Sequence, residues 1–94
     1  MNQYSVYILR CSDASYYTGV TNDVNRRVEE HQLGLNPTCY TFRKRPVVLV
    51  FQRNFHFIEQ AIAFEKQVKG WSRKKKEALI AGDIDLLSKL SSGY

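Results

Sequence analysis

The sequence predicts a small α/β (α+β) fold: a three-stranded, mostly antiparallel sheet flanked by helices, in the order β-β-α-β-α-α. Three observations carry this. Two short segments rich in β-branched and aromatic residues stand close together at the start of the chain. A second apolar stretch, Val47 to Phe51, is too short for a buried helix. The remainder is dominated by helical periodicity closed by glycines.

The elements follow in order. Gln3 to Cys11 (QYSVYILRC) reads as a strand, and Tyr16 to Thr21 (YYTGVT) as a second. The turn-like Ser12-Asp13-Ala14-Ser15 between them implies an antiparallel hairpin. Thr21, Asn22 and Asp23 are three candidate N-caps for a helix running to about Leu33, with Gly34 placed to end it. A loop from Asn36-Pro37 leads to Arg43-Lys44-Arg45 and Pro46. The third strand, Val47 to Gln52, has a continuous apolar run that suits a strand covered on both faces. A helix from about Phe57 to Lys69 ends at Gly70, and Ser72 caps another from Arg73 to Ala81. Asp83 caps a short last helix through Leu90.

The 94 residues suit one domain, residues 1–94, with its core over about 3–81 and a short C-terminal helix and tail over 82–94. No internal repeat or linker interrupts it. The longest apolar run is far short of a membrane span. Two cysteines, Cys11 and Cys39, form no CxxC or zinc pattern. With no signal-peptide pattern, a reducing cytoplasm is the expected compartment. Fourteen Lys and Arg against nine Asp and Glu give a net charge of +5, which favours polyanionic partners if the charge clusters.

The charge does cluster. Between Glu65 and Glu77 every charged residue is positive: Lys66, Lys69, Arg73, Lys74, Lys75 and Lys76. Arg43-Lys44-Arg45 forms a second group, and Trp71 and Tyr40 add aromatic surface. A solvated helix face is the plain interpretation. The functional one is contact with a phosphate backbone, which gives salt-dependent affinity without sequence choice.

Polar residues also fall where helices want apolar ones. On the first helix Val24 and Val28 set an inward stripe, and Arg27 and His31 share it at i+3 and i+7 from Val24, while Arg26 and Glu30 can pair in solvent. Arg27 could snorkel at the stripe's edge, and His31 could be an ordinary boundary histidine. On the second helix Ile58, Ala61, Ile62 and Val68 define the stripe, and Glu65 sits in its middle. A carboxylate there needs a cation: an Arg, a Lys or a metal, with a structural salt bridge to Arg27 as one candidate. Tyr7 and Tyr17 on the hairpin join this set. Gly19 inside the second strand marks a bulge or a close backbone approach.

Read together, these residues resemble the GIY-YIG nuclease domain, in particular its small stand-alone bacterial URI-type branch. The first motif stands as Ser5-Val6-Tyr7 and the second as Tyr17-Thr18-Gly19. Thr21-Asn22-Asp23-Val24, Arg26-Arg27, Glu30-His31, Tyr40-Thr41, Arg45-Pro46 and the run from Glu65 to Arg73 follow in order. The resemblance covers about residues 3–81. It implies that Tyr7 and Tyr17 line an active site, that Arg27 holds the scissile phosphate, and that Glu65 binds Mg²⁺ or Mn²⁺. His31 stands where some relatives have a tyrosine. Two departures are visible. Val20 occupies a place where some relatives carry lysine, and no asparagine follows Asn54, so Lys69 or Arg73 would have to supply that support.

The chemistry suits these types. A phosphodiester must be neutralised before attack, which an ion on Glu65 and the charge of Arg27 would do. The attacking water needs a proton acceptor. The resemblance names Tyr17, while the reference pKa of ~6.5 for histidine against ~10 for tyrosine favours His31. The expectation is a metal-dependent endonuclease acting on DNA, branched or damaged forms included, with low sequence specificity. RNA is a further candidate substrate, and a partner protein could direct targeting. The alternative is a nucleic-acid-binding module with little or no turnover. A third reading, an interaction protein using Trp71 and the last helix, ranks below both. One geometric condition applies throughout: without a bulge, Tyr7 and Tyr17 share a face only if the hairpin loop has an odd number of residues. Arg27 and Glu65 should then lie on the same side of the sheet as both rings.

Overall fold

The computed structural model describes residues 3–92. Gly93 and Tyr94 of the expected tail lie outside them. Three strands, β1 (Tyr4–Arg10), β2 (Tyr16–Thr21) and β3 (Val48–Phe55), form one antiparallel sheet in the order β2-β1-β3. Helices α1 (Val24–Leu33), α2 (Ile58–Lys69), α3 (Arg73–Ala81) and α4 (Ile84–Ser92) complete the chain, with a 3-10 turn at Phe42–Lys44.

The hairpin register fixes the site. Arg10 pairs with Tyr16, leaving the five-residue loop Cys11–Ser15. The Cys11 amide donates to the Ser15 carbonyl at 2.8 Å, and Asp13 Oδ1 accepts from the Ser15 amide at 3.0 Å. An odd loop keeps alternate residues in phase, so Tyr7 opposite Gly19 and Leu9 opposite Tyr17 all face one way. No bulge is needed at Gly19. The irregularity falls instead between Ile8 and Leu9, against β3.

The central strand β1 is buried from Ser5 to Leu9. One face of the sheet carries Tyr7, Leu9 and Cys11, packed with Val47, Tyr17 and Val28 of α1. The other carries Val6 and Ile8, with Phe51 opposite Ile8 and Phe55 opposite Tyr4 on the same face. There α2 covers the sheet: the Phe64 ring lies 6.4 Å from Phe51 and 5.6 Å from Phe55, and Trp71 meets it edge-on at 6.3 Å.

The third strand departs from expectation. It is an edge strand, not one covered on both faces, and Val48 and Leu49 are exposed. The α2 stripe is also narrower than its periodicity suggests. Ala61 and Val68 are buried, but Ile58 and Ile62 are exposed, because a three-stranded sheet is too narrow to cover both flanks of the helix. Among the described residues no helix is long and apolar enough to cross a membrane.

Of the three candidate caps before α1, Asp23 takes the position, its carboxylate accepting from the Arg26 amide at 3.1 Å. The Thr21 hydroxyl in turn accepts from the Asp23 amide at 3.1 Å. Gly34 ends the helix at φ 65°, a left-handed conformation that disfavours a side chain. Because α1 carries Arg27 and His31, its entry matters to the site. Asp23→Ala should cost about 1 kcal/mol, a fall of about 5 °C in Tm for a domain of this size. A thermal melt followed by circular dichroism checks it, and an unchanged Tm would show that the cap contributes nothing.

Candidate functional site

Four rings converge on the α1 side of the hairpin. The Tyr7 and Tyr17 ring centroids lie 6.3 Å apart, and His31 approaches them at 5.9 Å and 5.1 Å. Tyr40, from the loop after α1, stacks on Tyr17 at 6.2 Å with planes 20° apart. Gly19 makes room for Tyr7. A Cβ at that position would stand 2.5 Å from Tyr7 Oη and 2.6 Å from Cζ. The glycine is thus explained by close approach.

A buried chain of hydrogen bonds runs through the cluster. Tyr7 Oη lies 3.0 Å from His31 Nε2, and His31 Nδ1 lies 2.8 Å from Thr41 Oγ1. The Thr41 hydroxyl donates to Cys39 Sγ at 3.4 Å. Thr41 is 1% exposed and His31 7%. Burial, then the charge of Arg27, pushes the His31 pKa down, with Glu30 opposing. Burial, then the nearby Tyr17, pushes Tyr7 well above the ordinary phenol range, with Arg27 opposing. Burial also raises Tyr17. A neutral imidazole therefore sits among protonated phenols at neutral pH. For Cys39, burial pushes the pKa up, but hydrogen bonds from Thr41 and Tyr17 and the charge of Arg27 outweigh it, and the thiol ends below its usual range.

This cluster opens into a cleft of about 330 Å³ lined by Tyr17, Arg27, Glu30, His31, Cys39 and Thr41 among others. Arg27 is not an inward residue. Its side chain is 48% exposed and pairs with Glu30 at 3.1 Å, while Arg26 reaches the same carboxylate at 3.7 Å. It lies on the rim of the stripe, where it lowers the pKa of Tyr7 by charge and hydrogen bonding while its remaining donors face the cleft. An anion entering the cleft would meet a guanidinium at its mouth.

Glu65 is indeed turned inward, its side chain 13% exposed, but its partner is neither Arg27 nor a residue of the tyrosine face. Lys69 Nζ holds it at 2.6 Å. Helix α2 packs Phe64 against Phe51 and Phe55, on the face of Val6 and Ile8, whereas Tyr7 and Tyr17 pack with Val28 of α1 on the other. Phe64 takes the flank of α2 toward β3, which turns Glu65 and Lys69 toward β2. There Lys69 lines a depression with Tyr17, Thr18 and Tyr40, and Ile58 lines another with Val20 and Arg27. The two halves of the site meet around the free edge of β2.

Among the described residues no group of three His, Cys, Asp or Glu side chains is gathered for a metal. Such a donor set does not suit an ion caged by protein alone. A single carboxylate could hold Mg²⁺ or Mn²⁺ only with water and substrate phosphate completing the shell; Glu65 would be that carboxylate, and it is paired with Lys69.

The expected basic contacts divide. Lys44 pairs with Asp13 and lies 4.7 Å over the Tyr40 ring. Arg45 donates from Nε to the Phe42 carbonyl at 2.8 Å and from Nη1 to the Gln32 carbonyl at 3.3 Å, and so braces the end of α1. Arg73 pairs with Glu77 at 3.1 Å and covers Tyr16, and Lys75 stands 4.0 Å over Trp71. Arg43, Lys66 and Lys74 are exposed, and Lys76 lines the depression beside Tyr17. Thr41 and Cys39 had no place among the predicted site residues. They lie in an irregular loop, where no periodicity points to a buried face.

The GIY-YIG catalytic domain model matches residues 3–78 of the chain. A UPF0213 protein of Staphylococcus aureus is 44% identical over 80 residues, covering 85% of this chain and 96% of that protein. Solved relatives agree in fold. The solution structure of UPF0213 protein BH0048 from Bacillus halodurans is 43% identical, with a TM-score of 0.56 over 84% of this chain and 83% of that one. That of protein EF2693 from E. faecalis is 30% identical, with a TM-score of 0.61 over 87% and 86%. With the motif tyrosines on one face of one hairpin and the match running through the whole sheet, α1 and α2, the chain belongs to the GIY-YIG family of nuclease domains.

Proposed function

We propose that this protein is a metal-dependent endonuclease that hydrolyses DNA phosphodiester bonds with little intrinsic sequence preference. One observation carries the proposal: the buried, hydrogen-bonded Tyr7–His31 pair backs a cleft lined by Tyr17, Arg27 and His31, and Lys69, the ion-pair partner of Glu65, lines a depression with the same Tyr17.

The residues divide the work as follows. Arg27 binds the scissile phosphate and adds fixed positive charge where the transition state gains negative charge. Tyr17 walls the cleft with Tyr7 buried behind it, and the two would orient the attacking water. Neutral His31 is the strongest base of the cluster and is reached through the Tyr7 hydroxyl. Glu65 would hold Mg²⁺ or Mn²⁺, which when bound supplies Lewis-acid stabilisation to the phosphoryl and leaving oxygens. Lys66, Lys74 and Lys76 add backbone contacts that hold DNA without reading bases.

Nicking of supercoiled plasmid and of branched DNA tests this. Wild type should nick with Mg²⁺ or Mn²⁺ and stop on chelation. Arg27→Ala should lose roughly 10²–10³-fold in rate, the size of one lost charge-stabilising donor. Failure of wild type to cut either DNA form with either ion would sink the proposal. A second reading follows from the Lys69–Glu65 ion pair, which already satisfies the carboxylate. In a binding module with little turnover this pair would persist, and DNA would be bound in a salt-sensitive manner without being cut.

A further inference from the structure

The buried hydrogen-bond chain has a direction. Its fixed end is Thr41, whose hydroxyl donates to Cys39 Sγ at 3.4 Å and so leaves a lone pair for His31 Nδ1, 2.8 Å away. His31 then carries its ring proton on Nδ1, and a neutral imidazole with Nδ1–H is an acceptor at Nε2. Tyr7 Oη stands 3.0 Å from Nε2 and can donate to it. Every step is consistent: Tyr7 donates to His31, His31 to Thr41, and Thr41 to Cys39.

We propose that Thr41, backed by Cys39, is a positioning residue that locks His31 in the Nδ1–H tautomer, so that Nε2 can take a proton through Tyr7. The inference rests on the nuclease reading and adds to it the device that readies the base. The proton balance is simple. Tyr7 lies buried behind the cleft lining, so the step requires the attacking water to be drawn in past Tyr17 to Tyr7 Oη; as it gives a proton there, the proton already on Tyr7 passes to His31 Nε2. The water is left as hydroxide bonding to phosphorus, Tyr7 is unchanged, and His31 becomes an imidazolium whose Nδ1–H stays on Thr41. In the opposite tautomer Nε2–H would donate to Tyr7 Oη, and Nε2 would have no lone pair free to take a proton. Thr41 touches neither substrate nor reacting atoms and acts only through His31.

The test has a spectroscopic and a kinetic arm. The chain has two histidines, and His56 is exposed, so His56→Gln isolates the His31 ring in a long-range ¹H–¹⁵N spectrum. Wild-type His31 should show a protonated Nδ1 and a bare Nε2. Thr41→Val keeps the side-chain shape but removes the hydroxyl, and should mix the tautomers. It should lower kcat roughly 10- to 100-fold with KM little changed, as loss of a correctly prepared base requires. Thr41→Ser should restore both readouts. The wild-type spectrum needs no variant to fold. If it shows His31 as Nε2–H, the inference is overturned whatever the kinetics. It is also overturned if Thr41→Val keeps the Nδ1–H pattern and full kcat. A wild type that carries Nδ1–H but nicks no DNA supports the lock and removes the nuclease reading instead.

Discussion

Glu65→Gln should abolish metal-dependent nicking, by roughly 10³-fold or more, and leave the fold nearly as stable as wild type. The two halves of this expectation have different origins. Losing the only carboxylate proposed to hold the ion removes several kcal/mol of transition-state stabilisation, and each 1.4 kcal/mol is about tenfold in rate. The structural loss is small. Glu65 pairs with Lys69 one helical turn on, and the Lys69 side chain is 53% exposed. Pairs of this i,i+4 kind contribute about 0.3–0.5 kcal/mol, worth only about 2–4 °C in Tm. Glutamine keeps the shape and can still accept from Lys69.

Nicking rate against metal concentration, beside a thermal melt, separates the cases. Lost cutting with retained Tm places Glu65 in the chemistry. A large fall in Tm would make the Lys69 pair a structural support, and equal cutting by the variant would move the metal elsewhere. The ion pair also suggests how the two readings of function connect. Lys69 neutralises the Glu65 carboxylate, and an arriving phosphate would offer that ammonium a second anionic partner. Lys69 would then pass from Glu65 to the substrate as the metal takes its place.

Much of this architecture is legible in the sequence because local signals agree with the fold. The hairpin follows from β-branched and aromatic runs around a short polar turn. Asp23, Gly34, Ser72 and Asp83 mark helix ends by chemistry that acts within four residues. Sheet position is another matter. Val47 to Phe51 looks like the most buried strand, yet β1 is central, and it buries Ser5 and Tyr7 along with Val6, Ile8 and Leu9. Each polar group there is satisfied at long range: Ser5 Oγ donates to Asn54 Oδ1 at 2.7 Å, and Tyr7 meets His31. An apolar run reports that a segment is a strand. Which neighbours flank it is settled by contacts dozens of residues away.

The site divides in the same way. Helical spacing brings Arg27 and His31 to one side of α1, but cannot say that the arginine stops at the rim, because a long side chain snorkels while an imidazole does not. Spacing turns Glu65 inward on α2, but which face of the sheet that helix covers depends on where Phe64 finds its partners. Thr41 and Cys39 carry no spacing signal. They become part of the site only because the loop after α1 folds back over His31.

Gly19→Ala should be the most damaging single-methyl change in the hairpin. The new Cβ would lie 2.5 Å from Tyr7 Oη, 2.6 Å from Cζ and 2.9 Å from Cε1, so the whole edge of the ring is in the way. A flexible side chain would swing aside, but Tyr7 is 1% exposed, hydrogen-bonded to His31 and packed with Leu9 and Val47. Overpacking of this kind costs about 1–3 kcal/mol, which predicts a fall of roughly 10 °C in Tm. Any ring shift that relieves the clash moves Oη away from His31 Nε2, so nicking should fall further than the melt alone explains. Gly70→Ala is the control, since a Cβ there meets nothing closer than 3.6 Å. An unchanged Tm for Gly19→Ala would mean that Tyr7 can slide on the sheet. The hydrogen-bond chain from Tyr7 to Cys39 would then lack the fixed anchor that its proton transfer requires.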